Sequence, residues 1–141
     1  MCGIVCALHI NEKPEILRPQ LLEMSKKLRH RGPDWSGIFS DENVVLAHER
    51  LAIVDPKSGK QPLYSKDGRY VLAANGEIYN HLELREKYAK NHDFLTDSDC
   101  EIIIALYHLK GKDFLNDLNG IFGFVLYDSF ENKFLVDTGR I

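Results

Sequence analysis

Cys2 is the residue of this sequence whose type and position could do covalent chemistry. Removal of Met1, which is usual when the next side chain is small, would leave one residue with both a thiol and a free α-amine. An α-amine has a pKa near ~8, against ~10.4 for lysine, so part of it is unprotonated at neutral pH. It can take the thiol proton, so an N-terminal cysteine brings its own general base. On position alone, Cys2 is better read as the second residue of a core strand.

Four downstream segments change that reading. They are His-Arg-Gly-Pro-Asp at 30–34, His-Glu-Arg-Leu-Ala-Ile-Val-Asp at 48–55, Asn-Gly-Glu-Ile-Tyr-Asn at 75–80 and Ser-Asp-Cys-Glu at 98–101. Together with the initial Met-Cys-Gly-Ile, they resemble the class II (N-terminal-nucleophile) glutamine amidotransferases, and most closely the glutamine-dependent asparagine synthetases. One such motif is weak, but five in this order are specific. The resemblance extends from residue 1 to about residue 136.

The resemblance assigns a role to each motif. Cys2 is expected to attack the side-chain amide of L-glutamine, giving a thioester and ammonia. Asn75 and Gly76 are expected to hold the oxyanion of the tetrahedral intermediates, which makes them catalytic. Arg50 would bind the substrate α-carboxylate through its planar guanidinium, and Asp99 would pair with the α-ammonium group.

The same resemblance adds residues whose main chain lines the glutamine pocket, namely Leu51, Ala52, Ile53, Val54 and Glu77. Arg31 and Asp34 are expected to shape a loop rather than to catalyse. Structural readings compete with these roles. Asn-Gly is a common turn pair, an arginine at a strand end is often a surface residue, and an acidic residue in the first turn of a helix is favoured by the helix dipole.

The other two cysteines and the histidines do not suggest a second centre. In an extended strand Cys6 would lie about 13 Å from Cys2, too far for a disulfide or a shared zinc ion. We expect Cys6 and Cys100 to be buried structural thiols. The six histidines have no metal-ligand spacing, so no metal site is expected. The chain is expected to hold no cofactor, since ATP and Mg would belong to a synthetase domain.

The elements that must position these residues follow from hydrophobic periodicity and turn signals. Predicted capping boxes, Asn80 with Glu83 and Ser98 with Glu101, open two helices, and Gly111 ends the second. The predicted strands span 3–10, 43–48, 51–54, 69–74, 122–128 and 133–136, and the predicted helices span 19–30, 80–90 and 99–110. This order favours an α+β fold with a mostly antiparallel sheet. The resemblance specifies an αββα sandwich of the N-terminal-nucleophile type, incomplete at the C-terminus.

Composition excludes several classes of protein. With 141 residues, 44% apolar and 28% charged residues and a net charge of −3, the sequence is typical of a globular domain. It has no basic cluster of the kind that binds nucleic acid. No apolar run approaches the ~20 residues that span a bilayer, and no signal peptide is visible. The odd number of cysteines fits a reducing compartment, so we expect a cytoplasmic protein.

The resemblance also implies a limit. In the family the first domain continues through an Arg-Asp…Gly segment and more strands, and a second domain binds ATP and aspartate through a Ser-Gly-Gly-x-Asp-Ser loop. Neither follows residues 135–141 here. We therefore expect 1–141 to be a truncated glutaminase domain without a synthetase domain, whose ammonia goes to a synthetase domain or chain. Two alternatives stay open: a catalytically incomplete fragment that is at most a binding or regulatory partner, and the glutaminase domain of another class II amidotransferase.

The N-terminal chemistry makes a first prediction. The intact mass of the purified protein should correspond to a chain that begins at Cys2, because an amide-linked Met1 would remove the proposed base. Mass spectrometry checks this directly, and a chain that retains Met1 would rule that base out.

Overall fold

A computed structural model describes residues 1–139, which form seven strands and three helices. The strands are β1 (Gly3–Leu8), β2 (Trp35–Ser40), β3 (Val44–Arg50), β4 (Leu63–Tyr64), β5 (Tyr70–Ile78), β6 (Gly120–Asp128) and β7 (Lys133–Thr138). The helices are α1 (Pro14–Lys26), α2 (His81–Tyr88) and α3 (Ile102–Lys110), with 3-10 turns at Asp99–Glu101 and Gly111–Asp117. None of these helices combines the length and apolar character needed to cross a membrane.

The strands form two antiparallel sheets. The first has the order β1-β3-β2, and the second has the order β4-β5-β6-β7. Every paired neighbour is antiparallel, so the predicted α+β fold with mostly antiparallel sheets is confirmed. Neither sheet closes on itself.

Alternation of side chains along the strands decides which residues face the space between the sheets. Val44 and Leu46 of β3 point towards the second sheet, and Val71 and Ala73 of β5 point back at them. The opposite face of β5 packs on the apolar residues of α3, and α1 covers the outer face of the first sheet. The layers therefore follow the order helix, sheet, sheet, helix.

Several local predictions were wrong for identifiable reasons. Residues 51–54 are irregular rather than a strand, because side chains bind their backbone groups: Asp34 accepts from Ala52 N–H, and Arg50 donates to the carbonyl of Val54. Strand β2 was missed because Gly37 interrupts its apolar pattern. That glycine is needed where β2 meets the carbonyl of Gln61, since a Cβ there would lie 1.9 Å from the oxygen. The two-residue β4 was also missed.

The predicted element ends need further corrections. Helix α1 begins at Pro14 rather than at residue 19, and proline is favoured in the first turn of a helix. Neither capping box forms, because Asn80 binds the backbone of Asp117 and Asn119, and Glu101 binds the backbone of 95 and 96. Cys6 is exposed, since β1 is an edge strand, whereas Cys100 is buried as expected.

His48 joins the two sheets through a buried polar contact. Its side chain is fully buried, and its Nε2 lies 2.8 Å from the carbonyl oxygen of Ala74 on β5. Because a carbonyl only accepts, Nε2 carries the proton in the neutral ring. Burial lowers the pKa of His48 to about 4, and the positive charge of Arg50 acts in the same direction, whereas the Ala74 bond opposes it.

This depressed pKa predicts acid sensitivity. Below its ordinary pKa near ~6.5, His48 takes up a proton in the unfolded chain but not in the folded one, so stability falls as the pH drops towards about 4. The group should lower the free energy of unfolding by up to ~3 kcal/mol over that range. Urea unfolding of wild type and His48→Gln, measured between pH 7 and 4, tests this.

The His48→Gln variant retains a donor for the Ala74 carbonyl but cannot titrate, so its stability should depend less steeply on pH. The exposed His30 provides the control, and His30→Gln should follow the unsubstituted protein. Equal pH slopes for wild type and His48→Gln would contradict the assignment.

Candidate active site

Cys2 lies where β1 enters the first sheet. In the antiparallel register Gly3 pairs with Glu49, so Cys2 comes beside Arg50 at the end of β3. The half-buried Cys2 accepts a hydrogen bond at Sγ from the backbone N–H of Leu51, at 3.3 Å. The Cys2 thiol in turn donates to the carbonyl oxygen of Leu51 at 3.7 Å, so both backbone groups of Leu51 hold the sulfur in place.

The His-Arg-Gly-Pro-Asp segment holds the main chain of Cys2. Arg31 Nε donates to the Cys2 carbonyl oxygen at 3.2 Å. The loop packs closely on β3, where a Cβ on Gly32 would lie 2.2 Å from the carbonyl oxygen of Glu49. Asp34 accepts from the N–H of Ala52 at 2.8 Å. The loop thus shapes the site as predicted from sequence, and Arg31 also contacts the candidate nucleophile residue itself.

Asn75 faces Cys2 because it continues the inward face of β5. Val71, Ala73 and Asn75 alternate with outward-facing residues, so the apolar core gives way to an amide at the strand end. Asn75 Oδ1 accepts from the backbone nitrogen of Cys2 at 2.8 Å. Met1 is attached in this structure, so that nitrogen is a peptide N–H that stands in for an α-amine. With Oδ1 engaged, Nδ2 is the donor that the Asn75 side chain can offer a ligand.

On one side of β5, the N–H of Gly76 lies between two backbone N–H groups that already have hydrogen-bond acceptors. Alternate residues of a strand present their N–H groups to the same edge. On this edge Ala74 N–H donates to the Gln61 side chain and Ile78 N–H donates to Asp99. The N–H of Gly76 falls between them and faces the same way.

The backbone of Gly76 needs a glycine for two reasons. Its φ is +150°, and a Cβ would lie 2.1 Å from the carbonyl oxygen of Ile121 on β6. Strand packing therefore requires glycine at this position.

Two buried groups of opposite charge accompany the thiol. Arg50 is 4% exposed, and its Nη2 donates to the carbonyl oxygens of Val54 and Asp55 at 3.0 and 2.5 Å. Asp99 is also 4% exposed, and its Oδ2 accepts from the Ile78 N–H at 2.8 Å. A guanidinium and a carboxylate in one cavity are complementary to the carboxylate and ammonium groups of a free amino acid.

One cavity brings the predicted residues together. Of the predicted site residues it is lined by Cys2, Arg50, Leu51, Ile53, Val54, Asn75, Gly76, Glu77 and Asp99. Ala52 does not line it. The side chain of Glu77 is exposed, in keeping with a main-chain role. Sequence reasoning missed five further lining residues, which are Met1, Gln61, Ala74, Ser98 and Cys100.

The second thiol of the cavity differs from Cys2 in its environment. Burial raises the pKa of Cys100 well above its ordinary value, and the nearby Asp99 carboxylate raises it further. The Cys100 thiol therefore stays protonated at neutral pH. A protonated thiol is a poor nucleophile, which leaves Cys2 as the cysteine suited to attack.

The loop after Arg50 is tied to the segment that carries Asp99. The carboxylate of Asp55 accepts from the backbone N–H groups of Ser58 and Asp97, at 3.0 and 2.9 Å. Burial works to raise the pKa of Asp55, but the bonds from Ser58 and Asp97 and the charge of Arg50 outweigh it and hold the pKa below its usual value. At neutral pH an ionised Asp55 thus links the loop after Arg50 to the segment that carries Asp99, and both of these segments line the cavity.

The comparisons with known proteins agree on one family. A family model described as a glutamine amidotransferase domain matches residues 1–141. The chain is 52% identical over 141 residues to asparagine synthetase B [glutamine-hydrolyzing] of Escherichia coli (strain K12), covering 100% of this chain and 26% of that protein. It is 52% identical over 141 residues to asparagine synthetase [glutamine-hydrolyzing] 1 of Arabidopsis thaliana. It is 50% identical over 141 residues to asparagine synthetase [glutamine-hydrolyzing] of Zea mays, and the match covers 100% of this chain and 24% of each of these two relatives. The chain spans about a quarter of the length of these relatives. It belongs to the glutamine amidotransferase domain family.

Proposed function

We propose that this chain hydrolyses the side-chain amide of L-glutamine through a thioester on Cys2. The observation that carries the proposal is the contact of the Cys2 nitrogen with Asn75 Oδ1 at 2.8 Å, in a cavity that also holds Arg50 and Asp99. This arrangement gathers a nucleophile, a base and an amide donor at one point. It also provides charged partners for both ends of an amino acid.

Proton transfer to the α-amine begins the reaction. With Met1 removed, the unprotonated amine of Cys2 takes the thiol proton, directly or through a water, while Asn75 Oδ1 keeps the nitrogen in place. The Leu51 N–H stabilises the resulting thiolate. The sulfur then attacks the amide carbon of glutamine.

The carbonyl oxygen of glutamine becomes an oxyanion in this step. Asn75 Nδ2 and the Gly76 N–H are its proposed donors, and each such donor is typically worth ~3–4 kcal/mol of barrier. The intermediate collapses with departure of ammonia, which carries a proton returned by the amine. Water then attacks the thioester with the same amine as base, and glutamate leaves.

Substrate selection follows from the charged groups. The Arg50 guanidinium is held by two loop carbonyls and is proposed to bind the α-carboxylate, while Asp99 binds the α-ammonium group. Main-chain groups of Leu51, Ile53, Val54 and Glu77 are proposed to line the rest of the substrate. Because the two charged groups of the substrate are bound at fixed positions, its amide is oriented towards Cys2. The entropic cost of reaching a reactive geometry is thereby reduced.

We further propose that the ammonia serves the ATP-dependent conversion of aspartate to asparagine. The names of the relatives support this acceptor, and ATP and Mg would be bound by a synthetase domain or chain. The hydrolytic step itself uses side chains, backbone and water, and we propose no cofactor for it. A cytosolic location is proposed because the mechanism requires a reduced thiol.

Ammonia release from glutamine tests the proposal. Cys2→Ala should abolish release because no thioester can form. Asn75→Ala should lower kcat ~10²- to 10³-fold with a smaller effect on KM, because its amide acts mainly in the transition state. A coupled glutamate dehydrogenase assay measures both variants.

The exposed Cys6 supplies the matched control. Cys6→Ala removes a thiol of the same strand and should retain full turnover. Ammonia release that survives Cys2→Ala would refute the thioester mechanism. A cooperatively folded protein that binds glutamine without turnover would instead favour the binding or regulatory alternative.

A further inference from the structure

Gln61 makes a pair of buried hydrogen bonds that no catalytic role requires. Its Nε2 donates to the carbonyl oxygen of Ala74 at 2.9 Å, and its Oε1 accepts from the Ala74 N–H at 2.6 Å. The residue is 6% exposed, and its own backbone carbonyl lies against Gly37 of β2. Both ends of one amide thus bind both backbone groups of one residue of β5.

The Gln61 side chain takes the place of backbone pairing that β4 does not provide. Strand β4 pairs with β5 only through Leu63 with Leu72 and Tyr64 with Val71. Extending that register places Pro62 opposite Ala73 and Gln61 opposite Ala74. Strand β4 begins only at Leu63, so the backbone of Gln61 does not pair with Ala74. The primary amide of Gln61 has the donor and acceptor of a peptide group, so it pairs with Ala74 as a strand would.

Ala74, the residue that the Gln61 amide binds, directly precedes the proposed oxyanion donors. Ala74 is followed by Asn75 and Gly76, and on the same edge of β5 the Ile78 N–H is bound by Asp99. Gln61 and Asp99 therefore fix the strand on either side of the Gly76 N–H. The Ala74 carbonyl has a second donor in His48, whereas Gln61 supplies the acceptor for its N–H.

We propose that Gln61 is a positioning residue that sets the location of Asn75 and Gly76 relative to Cys2. This inference rests on the proposed function, since it concerns the donors of that reaction. The amide touches no reacting atom; it acts through the backbone of β5. Displacements of about 1 Å in such donors cost up to ~10²-fold in rate.

Two substitutions separate positioning from packing. Gln61→Met has similar length but neither donor nor acceptor. Gln61→Glu retains the shape, and its ionised carboxylate can accept from Ala74 N–H but presents a second acceptor to the Ala74 carbonyl. Protonation of that carboxyl restores the donor, and burial raises its pKa above the usual ~4.3. The ratio of kcat for Gln61→Glu to kcat for wild type should therefore rise as the pH falls from about 8 to 5.

Other titrating groups surround Gln61, and the ratio corrects for them because both proteins contain them. His48, which shares the Ala74 carbonyl, has a pKa of about 4 and stays neutral across this range. The titratable and charged groups that share a cavity with Gln61 are Cys2, Arg50, Glu77, Asp99 and Cys100 on one side, and Lys60, Tyr64 and Glu101 on the other.

The experiment compares ammonia release by the full chain carrying each substitution, per active site titrated with a chloroketone analogue of glutamine. We expect Gln61→Met to lower kcat ~10- to 10²-fold with KM within about twofold of wild type. We expect Gln61→Glu to be similarly impaired at pH 8 and to recover several-fold at pH 5. The exposed Gln20 gives matched controls, Gln20→Met and Gln20→Glu, which should equal wild type at both pH values.

Each outcome decides the question. Ammonia release that survives Cys2→Ala would refute the proposed function itself, whereas a normal Asn75→Ala variant would refute the oxyanion role of that residue. An impaired Asn75→Ala beside a normal Gln61→Met would refute positioning alone, and so would a flat pH ratio for Gln61→Glu. Thermal unfolding distinguishes packing, because a purely structural residue would lower the melting temperature and leave kcat per titrated site unchanged. If circular dichroism finds both Gln61 variants unfolded, the side chain is required for folding and the positioning assignment is overturned.

Discussion

The two sheets face each other across a narrow layer, and strict alternation of side chains controls what enters that layer. Along the inner faces of β3 and β5, apolar residues give way to polar ones towards one end of each strand. Leu46 leads to His48 and Arg50 on β3, and Ala73 leads to Asn75 on β5. A shift of register by one residue would turn these polar groups outward, so the packing of the core and the geometry of the cavity depend on the same pairing.

Much of the candidate site could be predicted because its chemistry is local in sequence. Cys2, the Asn75-Gly76 pair and Asp99 each occur in a short motif, and each needs a particular residue type for its proposed role. The long strands β3, β5 and β6 were also predictable, since apolar runs of that length leave few alternatives. The helix that ends at Gly111 was correctly placed, as its φ of +60° fits the glycine stop signal.

The remaining features depend on contacts between distant parts of the chain. Nothing near Gln61 in sequence indicates that its amide pairs with Ala74, and Arg31 meets the Cys2 carbonyl only after α1 has turned the chain back. The run 51–54 has the composition of a strand, yet its backbone binds Asp34 and Arg50 instead of a ladder. Local propensity was overridden there by tertiary hydrogen bonds.

The contact between the Cys2 nitrogen and Asn75 has a consequence for how such a domain can be combined with others. An amine that acts as a base loses its basicity once another residue is joined to it, because a peptide nitrogen has no available lone pair. Under the proposed mechanism, no protein sequence can be fused upstream of Cys2 unless it is later cleaved off. Under that mechanism gene fusion can add permanent partners only on the carboxyl side, so the chemistry of one nitrogen restricts the order of domains in evolution.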